Sequence, residues 1–256
     1  MNAFSGGRES MRQQARFLTA EWKNLVMFNY AVEPSLLEQY VPAGTEVDTF
    51  DGRTYISLVG FEFNQTRLSG IAVPFHRSFE EVNLRFYVRR ASRRGVAFIR
   101  EVVPKPAVAA VARFAFGENY CCAPMAHRVD LHPDGVEAEF SWGSGSDRCW
   151  MRIEAHNRSF LPPEGSLSQF ITEHYWGYAA QSDGGCLEYE VQHPRWSVWK
   201  AKEAEFSGNA ARFYGSELGR TLLRFPDSAF LAEGSPVTVF KGARIERRAE
   251  LAEAAR

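Results

Sequence analysis

Residues 79–88, FEEVNLRFYV, constrain the fold of this chain more than any other stretch. Polar and apolar residues alternate along it, and a period of two marks a β-strand, whose successive side chains point to opposite faces. Val82, Leu84, Phe86 and Val88 share one face; Glu81, Asn83, Arg85 and Tyr87 share the other. The second face carries a carboxylate, an amide, a guanidinium and a phenol, each able to make directional hydrogen bonds. A ligand pocket needs a few such groups converging from a rigid element. The competing reading is a half-solvated strand whose charged face meets water.

The rest of the chain is punctuated in a way that places this strand among others. Residues 13–24 read as a helix or ordered arm, followed by a strand at 25–32, and Pro34 opens a short helix, PSLLEQY. Asp51-Gly52 reads as a hairpin turn joining residues 46–50 to a strand at 54–64, where Tyr55, Ser57, Val59, Phe61 and Phe63 share a face. A further strand is expected at 96–102, then an Ala-rich helix, AVAAVARFAFG, begun by prolines and stopped at Gly117. Residues 136–142 and 149–156 alternate as strands, Ser166 caps a helix LSQFITEHYWGY, and CLEYEVQ is one more strand. A short helix at 208–218 and a strand at 237–240 complete the pattern. The expected fold class is α+β, mainly antiparallel β: a barrel-shaped sheet with a few short helices around a central pocket. The expected organisation is an N-terminal arm at 1–21, a single domain at 22–242, and a charged, flexible tail at 243–256.

Charge and cysteine usage narrow the function classes. Thirty Lys and Arg against 31 Asp and Glu leave a net charge of -1, so nothing electrostatic favours nucleic acid or an anionic membrane. There is no long apolar run and no signal-peptide core near the N-terminus, so the expectation is a cytoplasmic protein. Cys121 and Cys122 are adjacent, while Cys149 and Cys186 stand alone; the six histidines are scattered without HxxxH or HxH spacing. No metal site and no cofactor are expected from these spacings. Twenty Phe in a chain that is 14% aromatic suit strands around an aromatic-lined interior.

Six segments in order resemble the YqjF-like family of uncharacterised proteins. They are W-x-x-L at Trp22–Leu25, VPAGTEVDTFDGRTYISLVGF, FEEVNLRFYV, VARFAFGENYCCAPM, FITEHYWGYA and VQHPRWSVWKA, spanning about residues 22–242. That family is similar in fold to acetoacetate decarboxylase, which implies a largely antiparallel, barrel-like structure enclosing a small cavity. The resemblance places Glu81 where the decarboxylase has an active-site glutamate. It aligns ARFAFGENYCC, through Arg113 and Gly117, with the decarboxylase segment whose first lysine forms a Schiff base. Tyr120 and Cys121 then fall where two lysines would lie. Neither a phenol nor a thiol forms an iminium with a ketone, so the resemblance implies the fold without the decarboxylase chemistry. Oligomers among the decarboxylases imply self-association as an expectation.

The candidate catalytic residue is therefore Glu81, a general acid or base if buried, with an ion pair to Arg85 as its structural alternative. Asn83, Arg85, Tyr87, Tyr120 and Cys121 are the candidate ligand contacts. Arg85 suits a carboxylate, or it pairs with Glu81 or Glu101. Cys121 is a nucleophile only with a base such as His127 beside it; otherwise it is a buried inert thiol. His193, Glu173 and His174 are secondary candidates, and Trp196 and Trp199 read as core. The leading function is a pocket binding a small organic carboxylate or carbonyl compound. The alternatives are a lysine-independent lyase or isomerase acting on an enolisable carbonyl, and a non-catalytic interaction protein with a vestigial pocket.

Overall fold

Alternating patterns dominate the chain, and a computed structural model describes residues 15–245 as mostly strand. In chain order the first elements are β1 (Arg16–Val32), β2 (Glu46–Val47), β3 (Thr54–Leu68), β4 (Ile71–Ala72), β5 (Phe79–Arg90), β6 (Arg93–Val103), α1 (Pro106–Phe116) and β7 (Tyr120–Cys122). Next come β8 (Met125–His132), β9 (Gly135–Trp142), β10 (Cys149–Phe160), α2 (Leu167–Thr172), β11 (Trp176–Ala180) and β12 (Cys186–Gln192). The chain continues with β13 (Val198–Gly208), α3 (Ala210–Tyr214), α4 (Ser216–Leu222), β14 (Ser228–Phe240) and β15 (Ala243–Ile245). Among the described residues no helix is long and apolar enough to cross a membrane.

One continuous sheet runs β15-β12-β11-β6-β5-β3-β1-β14-β13-β10-β9-β8, and a second pairing joins β12 to β14. That pairing, Val191 to Val239 and Gln192 to Thr238, bends β12, β11, β6, β5, β3, β1 and β14 into a partial ring. Most pairs are antiparallel; β11 and β7 each run parallel to β6. Curvature enters through bulges. β1 slips register against β3 between Lys23 and Val26, around Asn24 in the left-handed region at φ 54°.

β5 is buried on both faces, which overturns the half-solvated alternative. Val82, Leu84, Phe86 and Val88 join Phe28, Leu58, Phe140 and Met151 in a core between the ring strands and the β8–β10 layer. The opposite face of the same strands, with Met27, Val59, Phe61, Phe79, Tyr87 and Trp196, turns into the ring. A strand with core on one side and a wrapped interior on the other has no solvent face, so its polar side chains face a cavity. Gly60 marks how closely the two layers approach: a Cβ there would sit 2.9 Å from the Phe140 ring.

Several local expectations are corrected by tertiary pairing. Residues 16–24 are strand, not helix, because β1 pairs with β3 on one edge and β14 on the other; residues 13 and 14 lie outside the described residues. Residues 16–21, read as part of the arm, lie in β1 of the ring, and Ala243–Ile245, read as part of the tail, form the sheet-edge strand β15 beside β12. Residues 1–14 and 246–256 lie outside the described residues. PSLLEQY forms two 3₁₀ turns rather than one helix. Asp51-Gly52 does make a tight turn, closed by Phe50 and Arg53, but β2 pairs with β5 instead of β3. Ser166 caps α2, its hydroxyl accepting from the Gln169 amide at 3.2 Å, yet the helix stops at Thr172 and WGYAA is strand β11. The region 208–218 becomes two helices broken at Gly215, and β8 and β13 were not anticipated.

Candidate functional site

Strand register assembles the site. Asn83 on β5 is paired with Val59 on β3 and with Glu101 on β6, and Glu101 is paired in parallel with Tyr120 on β7. Paired residues in neighbouring strands carry their side chains on the same face, so these four form one row facing the ring interior. Glu81 lies two residues along β5 on one side of that row, and Arg85 two residues along on the other. The third carboxylate comes from the helix stop. Pro106 starts α1 and Gly117, at φ 73°, ends it with its amide donating to the Arg113 carbonyl at 2.9 Å. The chain then presents Glu118 and Tyr120 to the cavity.

The site is a cavity of about 180 Å³ that is partly open to solvent, room for several waters or a small organic molecule. Its walls are largely aromatic and aliphatic, among them Trp22, Phe61, Phe63, Phe79, Phe98 and Trp196, with α1 contributing Val108, Val111 and Ala112. The polar lining comprises Glu81, Asn83, Arg85, Glu101, Glu118, Tyr120, Tyr189, Thr66, Thr172, His76, His174 and His193. Among the described residues no lysine lines it. No group of three or more His, Cys, Asp or Glu among those residues is arranged to hold a metal.

Within this lining the Asn83 amide donates to Glu81 Oε1 at 3.0 Å, and the Tyr120 hydroxyl donates to Glu81 Oε2 at 3.1 Å. The Tyr189 hydroxyl donates to Glu118. Arg85 donates to the Ile171 carbonyl at 3.2 Å and stands 5.8 Å over the Tyr87 ring; among the described residues it forms no ion pair. Neither pairing suggested for Arg85, to Glu81 or Glu101, is made. Several buried polar atoms of the lining lack partners: Asn83 Oδ1, Arg85 Nε, Glu101 Oε2, Thr66 Oγ1 and the Trp22 indole nitrogen. Such atoms are costly to bury unless something supplies the missing bond.

Burial governs the protonation of the acids. It pushes Glu81 up to about 7, against the lowering effects of the Asn83 and Tyr120 hydrogen bonds and the Arg85 charge. Burial pushes Glu118 up to about 8, with the Tyr189 hydrogen bond opposing and the Glu81 charge adding. Glu101 rises well above the ordinary range through burial and the charges of Glu118 and Glu81. At the other end burial pulls His174 down to about 4 despite Asp48, whose Oδ2 is 3.8 Å from Nε2, so its imidazole is neutral at neutral pH. His193 is also lowered by burial and is stacked on Trp196 with centroids 4.1 Å apart.

Of the residues singled out in the sequence, Glu81, Asn83, Arg85 and Tyr120 line one cavity; Tyr87 and Cys121 do not. Tyr87 is fully buried, its hydroxyl 2.6 Å from Ser57 Oγ and its ring 4.7 Å from that of His174, so it supports the wall from behind. Cys121 follows Tyr120 in β7, and strand alternation sends it to the opposite face, against the other core. Burial raises its thiol, and His127 is engaged elsewhere, bridging Glu80 at 2.9 Å and Glu62 at 3.2 Å. Glu80 faces away from the cavity, as its place in the alternation requires. Trp196 is core and cavity wall at once. Sequence reasoning passed over Glu101, Glu118 and Tyr189 as site residues. A lone carboxylate inside the apolar strand VAFIREVV was the signal available for Glu101; nothing local marked the other two.

Comparison with known proteins agrees with this architecture. The family model DUF2071, an uncharacterized conserved protein, matches residues 19–236. The uncharacterized protein YqjF of Bacillus subtilis (strain 168) is 27% identical over 191 residues, 73% of this chain and 77% of its own. Among solved structures, acetoacetate decarboxylase from Legionella pneumophila superposes with a TM-score of 0.67 at 12% identity, covering 96% of this chain and 98% of that one. The enduracididine biosynthesis enzyme MppR, solved with the condensation product of pyruvate and imidazole 4-carboxaldehyde, gives 0.67 at 12% identity over 94% of each chain. The fold is that of acetoacetate decarboxylase-like proteins.

Proposed function

The chain belongs to the DUF2071 family of uncharacterized conserved proteins, and for it we propose a cavity that binds a small organic carboxylate without Schiff-base chemistry. One observation carries this reading. Arg85 is 9% exposed, lines the cavity, has no counter-ion among the described residues, and keeps Nε without a partner. Leaving a guanidinium buried and unpaired is strongly destabilising, whereas a bidentate carboxylate satisfies both its charge and its geometry. A protein of the same fold is described in complex with pyruvate, a carboxylate with an adjacent carbonyl. A Schiff base needs a primary amine within reach of the bound carbonyl, and among the described residues no lysine lines the cavity.

The test is calorimetric titration with pyruvate, acetoacetate and acetate, set beside methyl pyruvate and methyl acetoacetate. The acids are expected to bind and the esters to bind at least about tenfold more weakly, with Arg85→Gln removing the difference. Equal binding of acids and esters, or no loss in Arg85→Gln, would overturn the reading.

A second reading is supported by Glu81, whose carboxyl is pushed up to about 7 and so is poised to exchange a proton near neutral pH. With a carbonyl compound anchored at Arg85, Glu81 would take the proton next to the carbonyl, and Tyr120 would donate to the resulting enolate oxygen. Deuterium wash-in at the carbon next to the carbonyl of acetoacetate or pyruvate, followed by NMR, measures this. Enzyme-dependent exchange lost in Glu81→Gln supports it, and exchange no faster than in buffer refutes it.

A further inference from the structure

We infer that the ligand of this cavity is an amphipathic acid, whose carboxylate meets Arg85 and whose hydrophobic tail of several carbons runs from there along the aromatic wall toward a rim at α1. The inference rests on the carboxylate reading above and names the other end of the same ligand.

The order of side chains along the strands is the argument. Arg85, Asn83, Glu81 and Phe79 follow one another on one face of β5 and all line the cavity, so its polar stretch gives way to an aromatic one. Phe79 is paired with Phe63 on β3, and Phe63 with Trp22 on β1. The Phe63 and Phe79 rings stack with centroids 4.7 Å apart, and Trp22 meets Phe63 edge-on at 5.7 Å. Further along the same strands the paired Leu18 and Leu68 line the cavity too. From Arg85 to Phe79 the chain advances six residues, about 20 Å at ~3.3 Å per residue. Acetate or pyruvate held at Arg85 would leave that whole stretch untouched.

Apolar walls around space that no side chain fills forfeit dispersion contacts, and an apolar guest restores them. The polar band between the two ends does not bar such a guest. Burial raises the Glu81 and Glu101 carboxyls toward their neutral forms, so a tail crossing the band is spared a row of full charges. The rim keeps the apolar character. Val111 of α1 lines the cavity and is nevertheless exposed, which marks it as a residue of the opening. Phe114, one turn on along α1, and Phe75, in the loop between the lining residues Val73 and His76, are exposed as well. Exposed apolar side chains beside a pocket mark a binding surface, and here they suit a ligand that is itself apolar at that end.

The probes are acetate, butyrate, hexanoate and octanoate, with octan-1-ol as the tail without its acid. Affinities are measured by calorimetry at neutral pH on the full chain. From butyrate to octanoate binding is expected to tighten about fourfold per added methylene, and octan-1-ol to bind at least about tenfold more weakly than octanoate. Ala112→Trp, which adds bulk at a half-buried lining position of α1, should flatten the series beyond butyrate. A series as steep in that variant as in the wild type would overturn the placement of the tail; if the variant does not fold, the wild-type series decides alone. Affinities that stay level or fall with chain length would overturn the inference, while binding of the short acids would leave the carboxylate reading standing. Octan-1-ol binding as tightly as octanoate, or no acid binding at all, would overturn both.

Discussion

Replacing Glu81 by Gln should stabilise the protein in a pH-dependent way, and the size follows from the environment of the carboxyl. Glu81 is 3% exposed and burial pushes it from 4.5 to about 7. An acid whose folded value is raised keeps its proton in the native state after the unfolded chain has released one. Its contribution is therefore complete below pH 4.5 and is lost as the pH climbs to about 7. At 1.36 kcal/mol per pKa unit the loss amounts to about 3 kcal/mol. Glutamine cannot ionise, so the variant escapes this decline. It also removes a charge that raises Glu101 and Glu118, and Glu118 reaches about 8, so the gain continues slightly beyond neutrality. The glutamine carbonyl can still accept from Asn83, while its amide changes the bond with Tyr120; that cost does not vary with pH. Urea unfolding of both proteins at pH 4.5 and pH 8 measures the effect. The variant's stability relative to wild type should rise by about 3 kcal/mol between the two pH values. A difference that is flat with pH, or that falls, would mean Glu81 is ionised and solvated in the native protein, and the buried acid at the cavity wall would be wrong.

Three further outcomes follow from neighbouring parts of the structure. Arg85→Gln should keep or raise the stability of the ligand-free protein in thermal unfolding, because it removes an uncompensated buried charge; a loss of more than about 3 kcal/mol would point to an ion pair that breaks on substitution. His127 is raised to about 10 by Glu62 and Glu80, so its stabilisation is complete below pH 6.5 and fades as the pH approaches about 10. With its side chain about a third exposed, His127→Gln should cost about 1–2 kcal/mol at pH 6 and nearly nothing at pH 10.5, read from urea midpoints. Gly177→Ala would place a Cβ 2.1 Å from Cζ of Tyr189, the partner of Glu118. It should destabilise by about 1–3 kcal/mol and weaken ligand binding, whereas unchanged unfolding and titration curves would show that the wall yields freely.

The sequence by itself determined whatever depends on neighbours along the chain. Alternation put Glu81, Asn83 and Arg85 on one face of β5 and Glu80 on the other, and the proline start and glycine stop bounded α1, because side-chain direction and capping are local properties. The same alternation rule separates Tyr120 from Cys121, and only the expectation that both replace lysines had joined them. The resemblance to the YqjF-like family was also legible, in six short segments kept in order, and through that family the acetoacetate decarboxylase-like fold. Tertiary structure decided which strand met which. Pairing with β3 and β14 made residues 16–24 a strand, and the Val191–Val239 contact bent the sheet into a partial ring. That curvature turned the polar face of β5 from water to cavity. It brought Glu101, Glu118 and Tyr189, from three separate segments, to the same small space. Burial then raised the acids and, among the described residues, left Arg85 without a counter-ion. Desolvation is a property of everything packed around a group, and no window of sequence contains it.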